Sequence, residues 1–159
     1  MIDIEIMDLP EIAVIGKEGL CTAEHNVVRE LWADAEAHFQ EIAPLGQLNP
    51  DGLFAGFWGA MSDVSRSFLP WSDGFSRGLY LAGLQVNPAA VPPPGWQKWT
   101  LPARRWLVAD VPPGQYGEVF TEVLERVIPS KGLRLSGAVC DFTEPITGRN
   151  RLFFPVEEI

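Results

Sequence analysis

Aromatic side chains carry most of the chemical potential in this sequence. There are six Trp and nine Phe but only two Tyr. Ring faces attract organic cations, by roughly 0.5–2 kcal/mol each depending on desolvation. Filling a core is the competing use of such residues, but six Trp in one small domain point to some of them lining a pocket. The candidates are Trp32, Phe57, Trp58, Trp71, Tyr80 and Trp106, together with Phe142. Trp32 lies on an apolar helical stripe, where it is either core or pocket floor. Trp71 lies between Pro70 and Ser72 in a long loop, the position of a pocket wall or lid. Tyr80 offers a hydroxyl that can orient a ligand. Trp96 and Trp99 open the second half of the chain and read as cover for a joint.

Other chemistries find no support. His25 and His38 are thirteen positions apart and do not form a metal pair, so neither metal nor cofactor is expected. No Ser–His–Asp set can be recognised, and no catalytic residue is assigned. Gly52, Gly56 and Gly59 lack the following helix that a dinucleotide loop requires. Cys21 and Cys140 lie among apolar neighbours and read as small hydrophobes rather than a disulfide framework. The net charge of −9 argues against direct nucleic-acid binding. The start, Met-Ile-Asp-Ile-Glu, carries no signal-peptide pattern, and no stretch is long enough to span a bilayer. A cytoplasmic protein without membrane association is expected.

The elements that would position these residues follow from periodicity. Ile2, Ile4 and Ile6 alternate with acids, and Ile12 to Ile15 forms a second β-rich run after Pro10. From Thr22, read as an N-cap, the period becomes helical. Val28, Leu31, Trp32, Ala35, Phe39 and Ile42 make one stripe, which Pro44 and Gly46 end. Leu53 to Trp58 and Leu79 to Val86 read as strands around an irregular stretch from Met61 to Gly78. Gly83 marks a bulge or a close backbone approach. Four prolines between Asn87 and Gly95 make a stiff connector.

The second half repeats this order. Gln97 to Leu101, Pro102 and Arg105 to Val111 precede a helix carrying Tyr116, Val119, Phe120, Val123, Leu124, Val127 and Ile128. Leu133 to Phe142 and Arg151 to Val156 are its last strands. The expectation is a single domain over 1–159, duplicated as about 1–87 and 96–159. Its fold class is α+β, with an antiparallel sheet and two helices flanking a groove.

Several short motifs, in this order, resemble the GyrI-like effector-binding domain. This family includes C-terminal domains of AraC-type and MerR-type drug-responsive regulators and the DNA gyrase inhibitor. The motifs are Leu9-Pro10-Glu11-Ile12-Ala13-Val14-Ile15-Gly16, Leu31-Trp32, and Tyr80-Leu81-Ala82-Gly83-Leu84-Gln85-Val86. Leu101-Pro102-Ala103 with Trp106, Ile128-Pro129 with Gly132, and Phe154-Pro155-Val156 complete the set.

The resemblance implies two βαββ units related by a pseudo-two-fold axis. It also implies an aromatic cleft for amphipathic, often cationic, compounds, with a small hydrophobic or cationic molecule as the expected partner. Its buried Glu, followed two residues later by Tyr, falls here near Asp141 and Thr143, with Glu144 the alternative acid if the register slips. Asp141, between Cys140 and Phe142, is the candidate cleft acid. A desolvated carboxylate there is costly, and a bound cation offsets that cost. No segment is left over for a helix-turn-helix. Two further readings stay open. One is a hydrolase of strained electrophiles using the same cleft. The other is an inhibitor module that binds a protein partner, as a monomer or dimer.

Overall fold

The computed structural model describes residues 2–159. Nine strands form one antiparallel sheet: β1 (Ile4–Leu9), β2 (Ile12–Cys21), β3 (Phe57–Ser62), β4 (Gly78–Gln85), β5 (Gln97–Leu101), β6 (Arg104–Val111), β7 (Leu133–Leu135), β8 (Cys140–Thr143) and β9 (Asn150–Glu158). The first helix is Val28–Ala37. The second starts as Tyr116–Glu122, widens into a π-type stretch at Val123–Val127 and ends in a turn at Ile128–Ser130. Pro129 offers no N–H to the carbonyl four residues earlier, which favours such a local change of register.

The strand order is a palindrome. It runs β1-β6-β9-β8-β3-β4-β2-β5, with the short β7 added on β9. Exchanging the two halves maps β1 onto β5, β2 onto β6, β3 onto β8 and β4 onto β9. The opening strand of each half pairs in the other half, β1 with β6 and β5 with β2. Leu9 faces Arg104, and Leu101 faces Ile12. Each of those partners lies three residues beyond the other leucine, so the two Leu-Pro steps occupy equivalent places. This is the α+β fold of two βαββ units that the element order implies.

Strand alternation sorts the side chains into two layers. One layer holds Ile12, Val14, Trp58, Leu81, Trp99, Leu101, Trp106 and Phe153 in a single buried cluster. Met7 and Leu9, from β1 at one sheet edge, pack against this cluster, to which β5 at the other edge contributes Trp99 and Leu101. The sheet is therefore curled about this core. Gly16 and Gly83 face each other in register. A Cβ on either would run into the backbone of the other strand. The approach marked by Gly83 is thus between strands, without a bulge.

The other layer faces the helices. The first helix covers Ala13, Ile15, Tyr80, Ala82 and Leu84. The second covers Leu107, Ala109, Leu152 and Phe154. Both cysteines are free and buried. No helix among the described residues is long and apolar enough to cross a membrane.

Boundaries differ from expectation where local hydrogen bonding competes with periodicity. Thr22 does not cap the first helix. Its hydroxyl accepts the His25 N–H in a turn, and the helix begins six residues later, where Asn26 Oδ1 accepts the Val28 N–H. The stripe continues through 3₁₀ turns at Phe39–Glu41 and Ala43–Leu45. β3 extends to Ser62, beyond Trp58. Leu133 to Phe142 is two strands, because the chain leaves the ladder between them. There Ala138 N–H donates to Phe68 O, and Arg104 occupies the space beside Gly137.

Candidate functional site

β3 and β8 meet at the centre of the palindrome, pairing Phe57 with Thr143, Trp58 with Phe142 and Gly59 with Asp141. One row of register partners crosses the sheet as Lys17, Ala82, Gly59, Asp141, Leu152 and Ala109. Its midpoint lies between Gly59 and Asp141, so these two residues are pseudo-symmetry mates facing each other on the axis. Their difference breaks the symmetry. A Cβ at Gly59 would overlap the Tyr80 hydroxyl and the Asp141 carboxylate. Glycine leaves the volume that both polar groups occupy.

A short hydrogen-bonded chain is built there from three elements. Trp32 on the first helix donates its Nε1–H to Tyr80 Oη at 2.9 Å. Tyr80 on β4 donates its O–H to Asp141 Oδ2 at 3.0 Å. Tyr80 is buried, and burial followed by the nearby Asp141 carboxylate raises its pKa, so it remains a neutral donor. Burial pushes the Asp141 carboxyl up to about 7, against the lowering effect of the Tyr80 hydroxyl and the Gly59 backbone. No Lys or Arg among the described residues forms an ion pair with Asp141.

Above this floor lies a cleft of about 1180 Å³ between the two helices. Val28 and Arg29 from the first helix form one wall, and Tyr116 and Phe120 from the second form the other. Met61, Tyr80 and Asp141 lie on its sheet side, and Trp71 and Phe75 complete its aromatic lining. Trp71 is fixed by its Nε1–H to Leu79 O at 3.0 Å and by packing over Gly78, where any Cβ would collide with the indole. Phe75 has a positive φ of 65° and meets Phe120 edge-on at 5.5 Å. Among the described residues no group of His, Cys, Asp and Glu is placed to hold a metal.

The candidate residues from the sequence thus separate. Trp32, Tyr80 and Asp141 come together, and Trp71 lines the same cleft. Phe57 lines an adjoining apolar hollow. Trp58, Trp106 and Phe142 are not brought to the cleft. They belong to the layer behind the sheet, where Trp58 packs on Phe142 at 4.9 Å and on Phe153 at 4.8 Å. Adjacent strand residues point to opposite faces, so Phe57 and Trp58 cannot share one side. Trp58 gives its Nε1–H to Gln85 Oε1, whereas Trp106 Nε1 is buried without a partner. Glu144 lies at the turn after β8, where its N–H donates to Arg149 O, and it does not line the cleft.

Met61, Tyr116, Phe120 and Gly59 are site residues that periodicity hides. Tyr116 and Phe120 are on the core-like stripe of the second helix, and their i, i+4 spacing is the one available hint.

No family model matches the chain, and no curated protein matches it in sequence. Solved structures do. The chain is similar to SAV2435 bound to tetraphenylphosphonium, at 12% identity and a TM-score of 0.69, over 98% of this chain and 94% of that one. It is similar to the C-terminal domain of EcmrR at 12% identity and a TM-score of 0.68, over 100% and 99%. In an EcmrR–DNA complex the match spans 99% of this chain but 58% of the EcmrR chain. A hydrolase from Listeria innocua matches at 12% identity and a TM-score of 0.60, over 97% and 91%. The chain has the fold of GyrI-like effector-binding domains.

Proposed function

We propose that this protein binds hydrophobic organic cations in the cleft above Asp141. One observation carries the reading. A carboxyl lies on the floor of an aromatic-walled cleft, oriented by Tyr80 and paired with no basic side chain among the described residues. Its raised pKa is the signature of a charge with too little compensation. A bound cation supplies that compensation, and the faces of Trp32, Tyr80 and Tyr116 add to it. A lipophilic cation loses little by leaving water, so it suits a buried carboxyl. The tetraphenylphosphonium in SAV2435 supports this class of ligand.

In EcmrR the same fold is part of a longer chain seen with DNA. The role we assign here is ligand sensing rather than DNA contact, in keeping with the net charge of −9.

The test is titration with tetraphenylphosphonium, followed by Trp fluorescence, against the neutral triphenylphosphine oxide. Wild type should saturate with the cation at micromolar concentration. Asp141→Asn should weaken the cation about tenfold or more, the loss expected for one partly buried charge contact, and leave the neutral compound nearly unchanged. Equal losses for both compounds would rule out the charge-based reading.

A second reading is hydrolysis, favoured by an Asp141 carboxyl poised near neutrality beside a neutral phenol. The ionised carboxylate would take a proton from water as it attacks an electrophile. Turnover of a strained electrophile that disappears in Asp141→Asn is the result that would select it.

A further inference from the structure

The cleft does not end at Asp141. A separate apolar hollow of about 440 Å³ lies further along the first helix, lined by Ala35, Glu36, Phe39, Phe57, Leu84 and Thr143. Trp32 and Thr143 border both this hollow and a smaller one of about 270 Å³ that contains Tyr80 and Asp141. The two hollows therefore adjoin at this pair of residues.

Three elements progress together along the same line. On the first helix the lining moves from Val28 to Trp32 and then to Ala35 and Phe39, one helical face at i, i+4, i+7 and i+11 spacing. On β3 it moves from Met61 to Phe57, and on β4 from Tyr80 to Leu84. Each of these strand steps spans four residues, roughly 13 Å. The far hollow is walled by Phe39 and Phe57, whose ring centroids are 5.8 Å apart, with Phe54 behind both. Its one ionisable lining residue is Glu36, which is exposed at the rim.

We infer that the groove takes elongated amphiphiles, with the cationic group at Asp141 and an apolar arm passing between Trp32 and Thr143 into the Phe39–Phe57 hollow. This rests on the cation-site reading above and adds a second chamber to it. A compact cation fills the first chamber only. An arm long enough to clear the passage buries apolar surface in a site that has no polar group needing satisfaction, and each methylene it buries is worth about fourfold in affinity.

The experiment compares methyltriphenylphosphonium with decyltriphenylphosphonium by calorimetry on wild type, Ala35→Leu and Thr143→Phe. Ala35→Leu fills the far hollow from the helix, and Thr143→Phe narrows the passage from the sheet. The readout is the ratio of the two affinities, so any change in binding of the shared head cancels. Wild type should favour the decyl compound by about tenfold or more, as roughly two buried methylenes require. Both variants should bring the ratio close to one. A wild-type ratio below about threefold, less than one buried methylene, overturns the inference, as does a ratio that both variants leave in place. If methyltriphenylphosphonium itself fails to bind wild type, the cation-site reading falls first, and the two-chamber ligand with it.

Discussion

Gly59 and Asp141 are register partners on the pseudo-two-fold axis of the sheet, and the first is glycine because the second is an acid. The pseudo-two-fold strand order places equivalent positions opposite each other at the centre of the palindrome. Two side chains there would compete for one volume. This chain gives the whole volume to one carboxyl and to the Tyr80 hydroxyl that holds it. A symmetric frame thereby acquires one off-axis charge, which gives the cleft a direction.

Gly59→Ala tests that relationship. The added methyl overlaps both polar groups, and overpacking of this kind costs about 1–3 kcal/mol. The expected result is a lower Tm together with loss of cation binding, because the carboxyl is pushed from its place. A variant that keeps full tetraphenylphosphonium affinity would show that the site does not depend on this volume.

The acid makes stability depend on pH in a defined sense. An unfolded Asp titrates near 3.9, whereas burial holds Asp141 at about 7. Between those values the folded chain binds more protons than the unfolded one, so stability present at low pH is lost as pH rises through about 7. Asn keeps a polar partner for Tyr80 and has no charge to bury. The Tm advantage of Asp141→Asn over wild type should therefore grow from pH 5 to pH 7 and level off by pH 8. Cation affinity should change with pH in the opposite direction, rising towards pH 7 and levelling above it. A Tm difference that is flat across this range would contradict a buried, titrating Asp141.

Much of the frame was legible because it depends on local pattern. Alternating apolar residues mark β1, continuous apolar runs mark β2 and β4, and the two Leu-Pro steps mark equivalent corners. The site was less legible because it depends on pairing between distant segments. Nothing near Gly59 in the chain announces that it will face Asp141, eighty-two positions later. Sequence shows that Phe57 and Trp58 point opposite ways, but only the curl of the sheet decides which side is core. The resemblance placed a tyrosine near 143. The phenol comes instead from Tyr80 on β4, and Thr143 borders both hollows.

Tyr80→Phe separates the two roles of that phenol. Its removal leaves Trp32 Nε1–H without an acceptor and Asp141 without its side-chain donor. Leaving a buried partner unsatisfied costs about 1–3 kcal/mol, so Tm should fall. The Tyr80 hydrogen bond also holds the Asp141 pKa down, so the pH midpoint of cation binding should move upward. A purely structural hydroxyl would lower Tm and leave that midpoint where it is.

The two aromatic layers predict opposite outcomes for substitutions that look alike in sequence. Trp32 lies between the two hollows of the groove and donates to Tyr80. Trp58 is 2% exposed and packs behind the sheet among Phe142, Phe153 and Leu81. Trp58→Leu removes a large part of that packing, a loss of about 2–4 kcal/mol on the scale of buried truncations. Trp32→Phe keeps an aromatic wall but removes the donor that orients Tyr80. Thermal melts and tetraphenylphosphonium titrations on both variants should therefore diverge. Trp58→Leu should lower Tm and leave affinity within about twofold, since its indole lies on the sheet face opposite the cleft. Trp32→Phe should weaken binding several-fold with a smaller change in Tm. The reverse pattern would mean that the ligand enters the curled side of the sheet, and that the cleft between the helices is not the binding site.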